Sequence, residues 1–197
     1  MRAKDKFLEK INLIILILGL CVSHNLYAEN IYEKIFNYNN ALKNSSASFI
    51  QTNTNEVQEG VIFFGDKRIK IVYKNPKKLT IILSEKKGIY INHELEESYF
   101  FATKNSYIRF FFDVFHKKKY LENLPIKESD HTIEIIEKIK LDDILYNIKL
   151  IYENKPMNLR RLEILENDEK TQMGFFNLSF EKSFEKKFFS MIDPYLN

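Results

Sequence analysis

The feature that most constrains this chain is a succession of short β-rich runs, each closed off by turn residues or charge. Runs at 48–52, 60–64, 68–73, 79–83, 88–92 and 98–102 read as strands, and Gly65-Asp66, Asn75-Pro76 and Lys87-Gly88 punctuate them as turns. Links this short join antiparallel neighbours, because a parallel crossover needs a dozen or more residues. A second series is predicted at 132–137, 145–152, 158–165 and 171–176, with a last strand around 188–192 and turns at Asp142-Asp143 and 153–156. A sheet of this many strands tends to curl or close, since a strongly twisted open sheet rarely exceeds ~10 strands.

Two segments depart from the strand pattern. Ile31, Ile35, Tyr38 and Leu42 recur at helical spacing and predict an amphipathic first helix. Between the two strand series, Ile108, Phe111, Phe112 and Phe115 repeat at the same period, with Arg109, Asp113 and His116 on other faces. A helix this apolar must bury its Phe face, and the concave side of a curled sheet is the natural place. Adjacent rings in Phe63-Phe64, Phe100-Phe101 and Phe175-Phe176 point to opposite faces of their strands. Two readings fit these rings equally: helices covering one face of a sheet whose other face is a greasy surface, or a cavity that holds lipid. No Pro/Ser-rich linker and no repeat divides the chain, so one domain is expected.

Arg2, Lys4, Lys6 and Lys10 precede an uncharged apolar run at 11–22, and Leu26-Tyr27-Ala28 then supplies a small residue before a cut. The apolar run is about a dozen residues, short of the roughly 20 that span a bilayer. Residues 1–28 therefore read as a secretory signal peptide and residues 29–197 as the mature domain, placed in the periplasm. An uncleaved anchor and lipidation at Cys21 are the competing readings, although Leu20 is not the small residue that a lipidation site wants before its cysteine. Cys21, the chain's single cysteine, leaves with the leader, so a core and not disulfides must hold the fold. The leader's four basic residues outnumber Asp5 and Glu9, so most of the formal charge of +3 leaves too. A near-neutral mature chain has no global pull toward nucleic acid, and Lys117-Lys118-Lys119 reads first as a solvated helix end.

Chemistry is sparse. His93, His116 and His131 are scattered without Glu or Cys at a ligand offset, so no metal is expected. The chain has no Gly-x-Ser-x-Gly elbow, no Gly-rich phosphate loop and no His-Glu-x-x-His. Asp142 and Asp143 are neighbours that point apart on an extended chain and converge only in a tight turn. No catalytic residue, no cofactor and no enzymatic activity are expected, a dispersed hydrolase site being the remaining alternative.

The order of features resembles the outer-membrane lipoprotein carrier (LolA) family. Ser48-Phe49-Ile50-Gln51 is similar to the family's Phe-x-Gln signature after the first helix, and Gly60 with the strand to Phe64 continues the match. Arg68-Ile69-Lys70-Ile71-Val72-Tyr73-Lys74-Asn75-Pro76 resembles its basic/aromatic strand ending in Tyr-x-x-Pro. Gly88-Ile89-Tyr90-Ile91-Asn92, the helix from Tyr107 to Phe115 and the closing Phe188-Phe189-Ser190-Met191-Ile192-Asp193-Pro194 complete it over nearly the whole mature chain. The resemblance implies an incomplete, unclosed antiparallel β-barrel with an N-terminal helix and a helical lid over an apolar cavity. It implies a periplasmic chaperone, monomeric, that carries lipoproteins by their acyl chains to the outer membrane. Its partners would be lipoprotein cargo, an inner-membrane lipoprotein-releasing ABC transporter, and an outer-membrane acceptor or the membrane itself. Phe64, Ile69, Ile71, Tyr73, Tyr90, Ile108, Phe111, Phe112 and Phe115 form the pool of acyl-chain contacts, strand parity leaving open which face inward. The family's Arg-Pro pair after the Phe64 strand, whose arginine holds the lid shut, is Gly65-Asp66 here. Arg68 or Arg109 is the candidate substitute for the lid contact, unless both are ordinary surface arginines. An outer-membrane acceptor of the same fold and a periplasmic lipid-sensing module are the alternative functions.

Cleavage after Ala28 is expected, so intact-mass analysis of exported protein should find Glu29 as its first residue. A Met1 terminus in the membrane fraction, or an acylated Cys21, would overturn this.

Overall fold

The computed structural model describes residues 30–180, 183–185 and 187–196. The expected leader, its cleavage site and Cys21 lie outside them.

Helix α1 (Ile31–Ala41) comes first and buries Ile35 and Asn39, one turn apart on a single face. Six strands then pair in sequence: β1 (Ser45–Thr52), β2 (Val57–Phe64), β3 (Ile69–Asn75), β4 (Leu79–Leu83), β5 (Lys87–Asn92) and β6 (Glu97–Ala102). A 3-10 turn at Thr103–Asn105 leads into α2 (Ile108–His116) and the one-turn α3 (Lys118–Leu121). A second meander follows: β7 (Ile126–Glu128), β8 (Thr132–Leu141), β9 (Ile144–Asn154), β10 (Met157–Glu166) and β11 (Glu169–Phe180). β1 pairs with β11, which joins the two meanders into one 11-stranded sheet. Among the described residues all its pairings are antiparallel, its edges are β6 and β7, and no pairing joins those edges. The protein is thus mainly β, an unclosed antiparallel barrel with few helices.

Local chemistry accounts for the hairpins. β8–β9 and β10–β11 turn on Asp142-Asp143 and Asn167-Asp168, whose φ values of 46°, 67°, 44° and 71° are left-handed. Asp and Asn tolerate that region, and two-residue turns of this kind match the twist of the flanking strands. Asp142-Asp143 is therefore a hairpin turn. Gly60 has a different reason: a Cβ there would lie 2.2 Å from the Val72 carbonyl and 2.5 Å from the Phe49 ring, so glycine lets that ring cross β2.

Alternation then divides the side chains into two layers. Phe49, Ile62, Phe64, Ile69, Ile71 and Tyr73 share the concave side and are buried there. Phe64 stacks on Phe115 of α2 at 5.2 Å, which places the helix on that side. Phe63, Lys70, Ile82, Ile89 and Ile91 face the convex side, and a C-terminal strap covers them. Phe63 meets Phe184 and Phe188 edge-on at 5.9 and 4.9 Å, and Met191 and Tyr195 pack on Ile82, Ile89 and Ile91.

That strap corrects the expectation of a closing strand near 188–192. Residues 187–189 form a turn and 190–196 carry no strand pairing. The interior strands beneath already have partners on both sides, so side chains take up the strap's carbonyls. Arg68 donates to the carbonyl of Phe189, and Lys70 Nζ to that of Phe188 at 3.1 Å. Tyr195 adds a 2.9 Å hydrogen bond between its hydroxyl and His93 Nδ1. Strand β7 and the full length of β11 are further differences from the predicted elements.

Ile69 is fully buried on β3, opposite Phe64 on one neighbour and Leu83 on the other. Ile69→Glu is expected to lower stability by at least ~2 kcal/mol, since the carboxylate has no polar partner there. Urea melts measure this, and an unchanged midpoint would show that the site is open.

Candidate functional site

Between α2 and the concave face lies a cavity of about 300 Å³. Its walls come from both meanders: Ile62, Ile71 and Ile81 on one side, Ile148, Leu162, Ile164 and Met173 on the other, with Ile108, Phe110 and Phe111 of α2 as the roof. Among the described residues the lining contains no charged side chain. Ile81, Leu162, Ile164 and Ile108 point inward yet stay only half-buried, because the space they face is unfilled. A native core without a ligand role packs to crystal-like density and leaves few voids larger than a water molecule, so an apolar space of this size is a binding-site feature.

Polar groups cluster at one end. Gln51, Asn53, Tyr73 and Thr171 line it where β1 ends and β11 begins, and exposed Asn53 marks it as the mouth. The Tyr73 hydroxyl donates to Gln51 Oε1 at 3.0 Å, and Gln51 Nε2 donates to Gln58 Oε1 at 3.1 Å. Burial holds the Tyr73 hydroxyl well above the usual tyrosine range, so it stays neutral. Tyr107, just before α2, leans on Tyr146 with ring centroids 5.3 Å apart.

An ionic clamp holds α2 to the sheet at the opposite end. Asp113 is 6% exposed, accepts a hydrogen bond from Arg109 Nε at 2.7 Å and forms an ion pair with Lys117 Nζ at 3.2 Å. Both cations also reach Glu85, in the turn between β4 and β5. Lys117 Nζ lies 2.9 Å from its carboxylate, Arg109 Nη2 lies 3.7 Å away, and Arg109 Nη1 donates to the Glu85 backbone carbonyl. The bond from Lys117 holds the Glu85 carboxyl below its ordinary range. Nearby, the Tyr120 hydroxyl donates to Glu137, which burial pushes above the usual carboxylate range. Asn39 completes the attachment: its Nδ2 donates to the Val114 carbonyl at 3.1 Å and its Oδ1 accepts from Tyr152 at 3.0 Å.

The predicted contacts divide accordingly. Ile71, Tyr73, Ile108 and Phe111 line the cavity. Phe64 and Ile69 are buried side by side on the concave face, and Phe115 of α2 stacks on Phe64. Phe112 points elsewhere, stacking on His116 at 4.3 Å beside a surface cleft that also contains Lys43 and Asp66. Tyr90 stacks on Tyr99 at 4.8 Å near the β6 edge and is absent from the cavity wall. Arg68, a candidate lid contact, instead binds the strap on the convex side, whereas Arg109 bridges the helix and the β4–β5 turn. The whole wall from β9, β10 and β11 was missed; the period-two series Ile148-Leu150-Tyr152 and Thr171-Met173-Phe175 is the signal that finds it.

Fold and cavity define the class: an unclosed antiparallel β-sheet whose concave face and inserted helix enclose an uncharged apolar chamber. No protein-family model matches the chain, and no curated protein matches it by sequence. Among solved structures it is similar to LprF from Mycobacterium bovis, at 11% identity and a TM-score of 0.36, over 75% of this chain and 90% of that one. It is also similar to PNGF-II, at 3% identity and a TM-score of 0.37, over 74% of this chain and 30% of that one. Both likenesses are to the course of the chain, and the functional reading rests on the cavity.

Arg109→Ala is expected to loosen α2 by about 1–3 kcal/mol, leaving Asp113 with Lys117 alone. Amide hydrogen exchange should quicken in residues 108–116 by roughly tenfold or more while β1–β3 keep their protection. Equal acceleration throughout the sheet would mean that the clamp serves the whole fold and not the helix.

Proposed function

We propose that the protein is a periplasmic carrier that shields the acyl chains of lipoproteins on their way from the inner to the outer membrane, without catalysing a covalent step. The observation that carries this reading is the uncharged apolar cavity beneath a helix that is held by ionic and polar contacts at its edges. Each methylene exposed to water costs ~0.8 kcal/mol, so a lipid-modified protein needs such a shield to cross an aqueous compartment. The chamber as it stands takes about ten methylene-sized groups, each with roughly the ~30 Å³ of a water molecule. A single chain of about ten carbons fits in this chamber under the closed helix, and more acyl mass requires α2 or its rings to move. Loading by an inner-membrane ABC transporter and surrender to an outer-membrane acceptor belong to the same proposal, as does action as a monomer. The resemblance in motif order described above supports it independently of the cavity.

Native mass spectrometry of protein purified from the periplasm is the test. It should find acylated polypeptide or lipid bound, and Ile164→Trp, which fills the chamber from its half-buried wall, should weaken that binding roughly tenfold or more, about 1.4 kcal/mol. Ligand-free protein throughout, or a folded Ile164→Trp variant with undiminished binding, would overturn the reading.

A further inference from the structure

A second cavity of about 140 Å³ lies between α1 and the sheet, lined by Leu42, Ala47, Leu159 and Leu178 together with Phe64 and Phe175, with Asn158, Arg160 and Asn177 also on its wall. It sits on the same concave surface as the main chamber. On β2, Ile62 lines the main chamber and Phe64, two residues on, lines the second; on β11 the pair is Met173 and Phe175; on β10 it is Leu162 and Leu159, three apart because a bulge between Leu159 and Arg161 adds a residue. Residues two apart share a strand face, so the wall runs unbroken from one space to the other.

What separates the two is a wedge of rings from α2. Phe111, in the roof of the main chamber, lies parallel to Phe175 at 6.4 Å and against Phe115 at 4.8 Å. Phe115 in turn stacks on Phe64 at 5.2 Å. The contacts among these rings are apolar, so a shift of α2 or a rotamer change at Phe115 would part them without breaking a hydrogen bond between them. The wall of the small space is mostly apolar, and Arg160 and Asn177, both exposed, mark the side on which it meets solvent.

We propose that the second cavity is the distal end of the acyl site: the last carbons of a long chain push past the Phe111–Phe115 wedge and end between Leu159 and Leu178, so that this space sets the longest chain accepted. The inference rests on the acyl-binding reading above and adds a length limit to it. At ~30 Å³ per methylene-sized group, the second space takes about four or five more carbons.

Isothermal titration of the purified mature chain with monoacylglycerols of increasing saturated chain length tests it. Affinity should rise about fourfold per methylene and level off at a definite length. Leu178→Trp, which fills only the second cavity, should level off about four methylenes sooner while shorter chains bind as before. Ala47→Leu fills the same space from β1 and should give the same shift. If both folded variants keep the original limit, the second cavity is not part of the site and the inference fails. If no chain of any length binds the unmodified protein, the acyl-binding reading itself fails, a result distinct from an unshifted limit.

Discussion

Everything in this molecule depends on where α2 buries its phenylalanines. The sheet has two unpaired edges, β6 and β7, and the chain between them is the segment that carries α2 and α3. An 11-stranded sheet that curled without a filler would collapse on itself or expose a greasy trough. Phe110, Phe111 and Phe115, each at most 5% exposed, occupy the trough instead. They hold the walls apart, so the cavity is the space that these rings do not fill. The edge strands are blunted by the same device, since the connecting segment runs between the two open edges.

Attachment of this helix is uneven, and the unevenness bears on function. Its apolar face is packed at the Phe64 and Phe175 end, whereas over the main chamber it faces empty space and half-buried isoleucines. Its polar side is held by contacts that cluster on Asp113, Glu85 and Asn39. Ionic contacts near a surface contribute modestly and depend on geometry, while the hydrophobic contacts grow with area and do not depend on orientation. A helix held this way has a defined closed position, and the carrier role proposed above would require it to leave that position to take up or surrender cargo. The convex face shows the opposite arrangement: rings, a cation over Phe188 and side-chain bonds to its backbone seat the strap along its length.

Much of this was readable from residue order alone. Short strand runs with turn chemistry specified antiparallel hairpins, and the helical period of Ile108, Phe111, Phe112 and Phe115 marked an inserted amphipathic helix. Both follow from local rules, because turn residues and side-chain periodicity act within a few positions of the chain. Where local signals conflicted, reading by sequence failed. Phe188-Phe189-Ser190-Met191 has strand composition but finds no free sheet edge, and Phe112 has the helical period but sits on the side away from the chamber.

The sequence by itself determined the element types, the antiparallel connectivity and the need for an apolar helix to find cover, since each is encoded in neighbouring residues. Only the tertiary structure decided that β1 meets β11, and with that pairing that Ile148, Leu162, Ile164 and Met173 stand opposite Ile71 across one chamber. It also decided that Arg109, and not Arg68, reaches the β4–β5 turn. These outcomes depend on contacts between residues many positions apart, and no spacing along the chain records which distant surfaces a curled sheet will bring together.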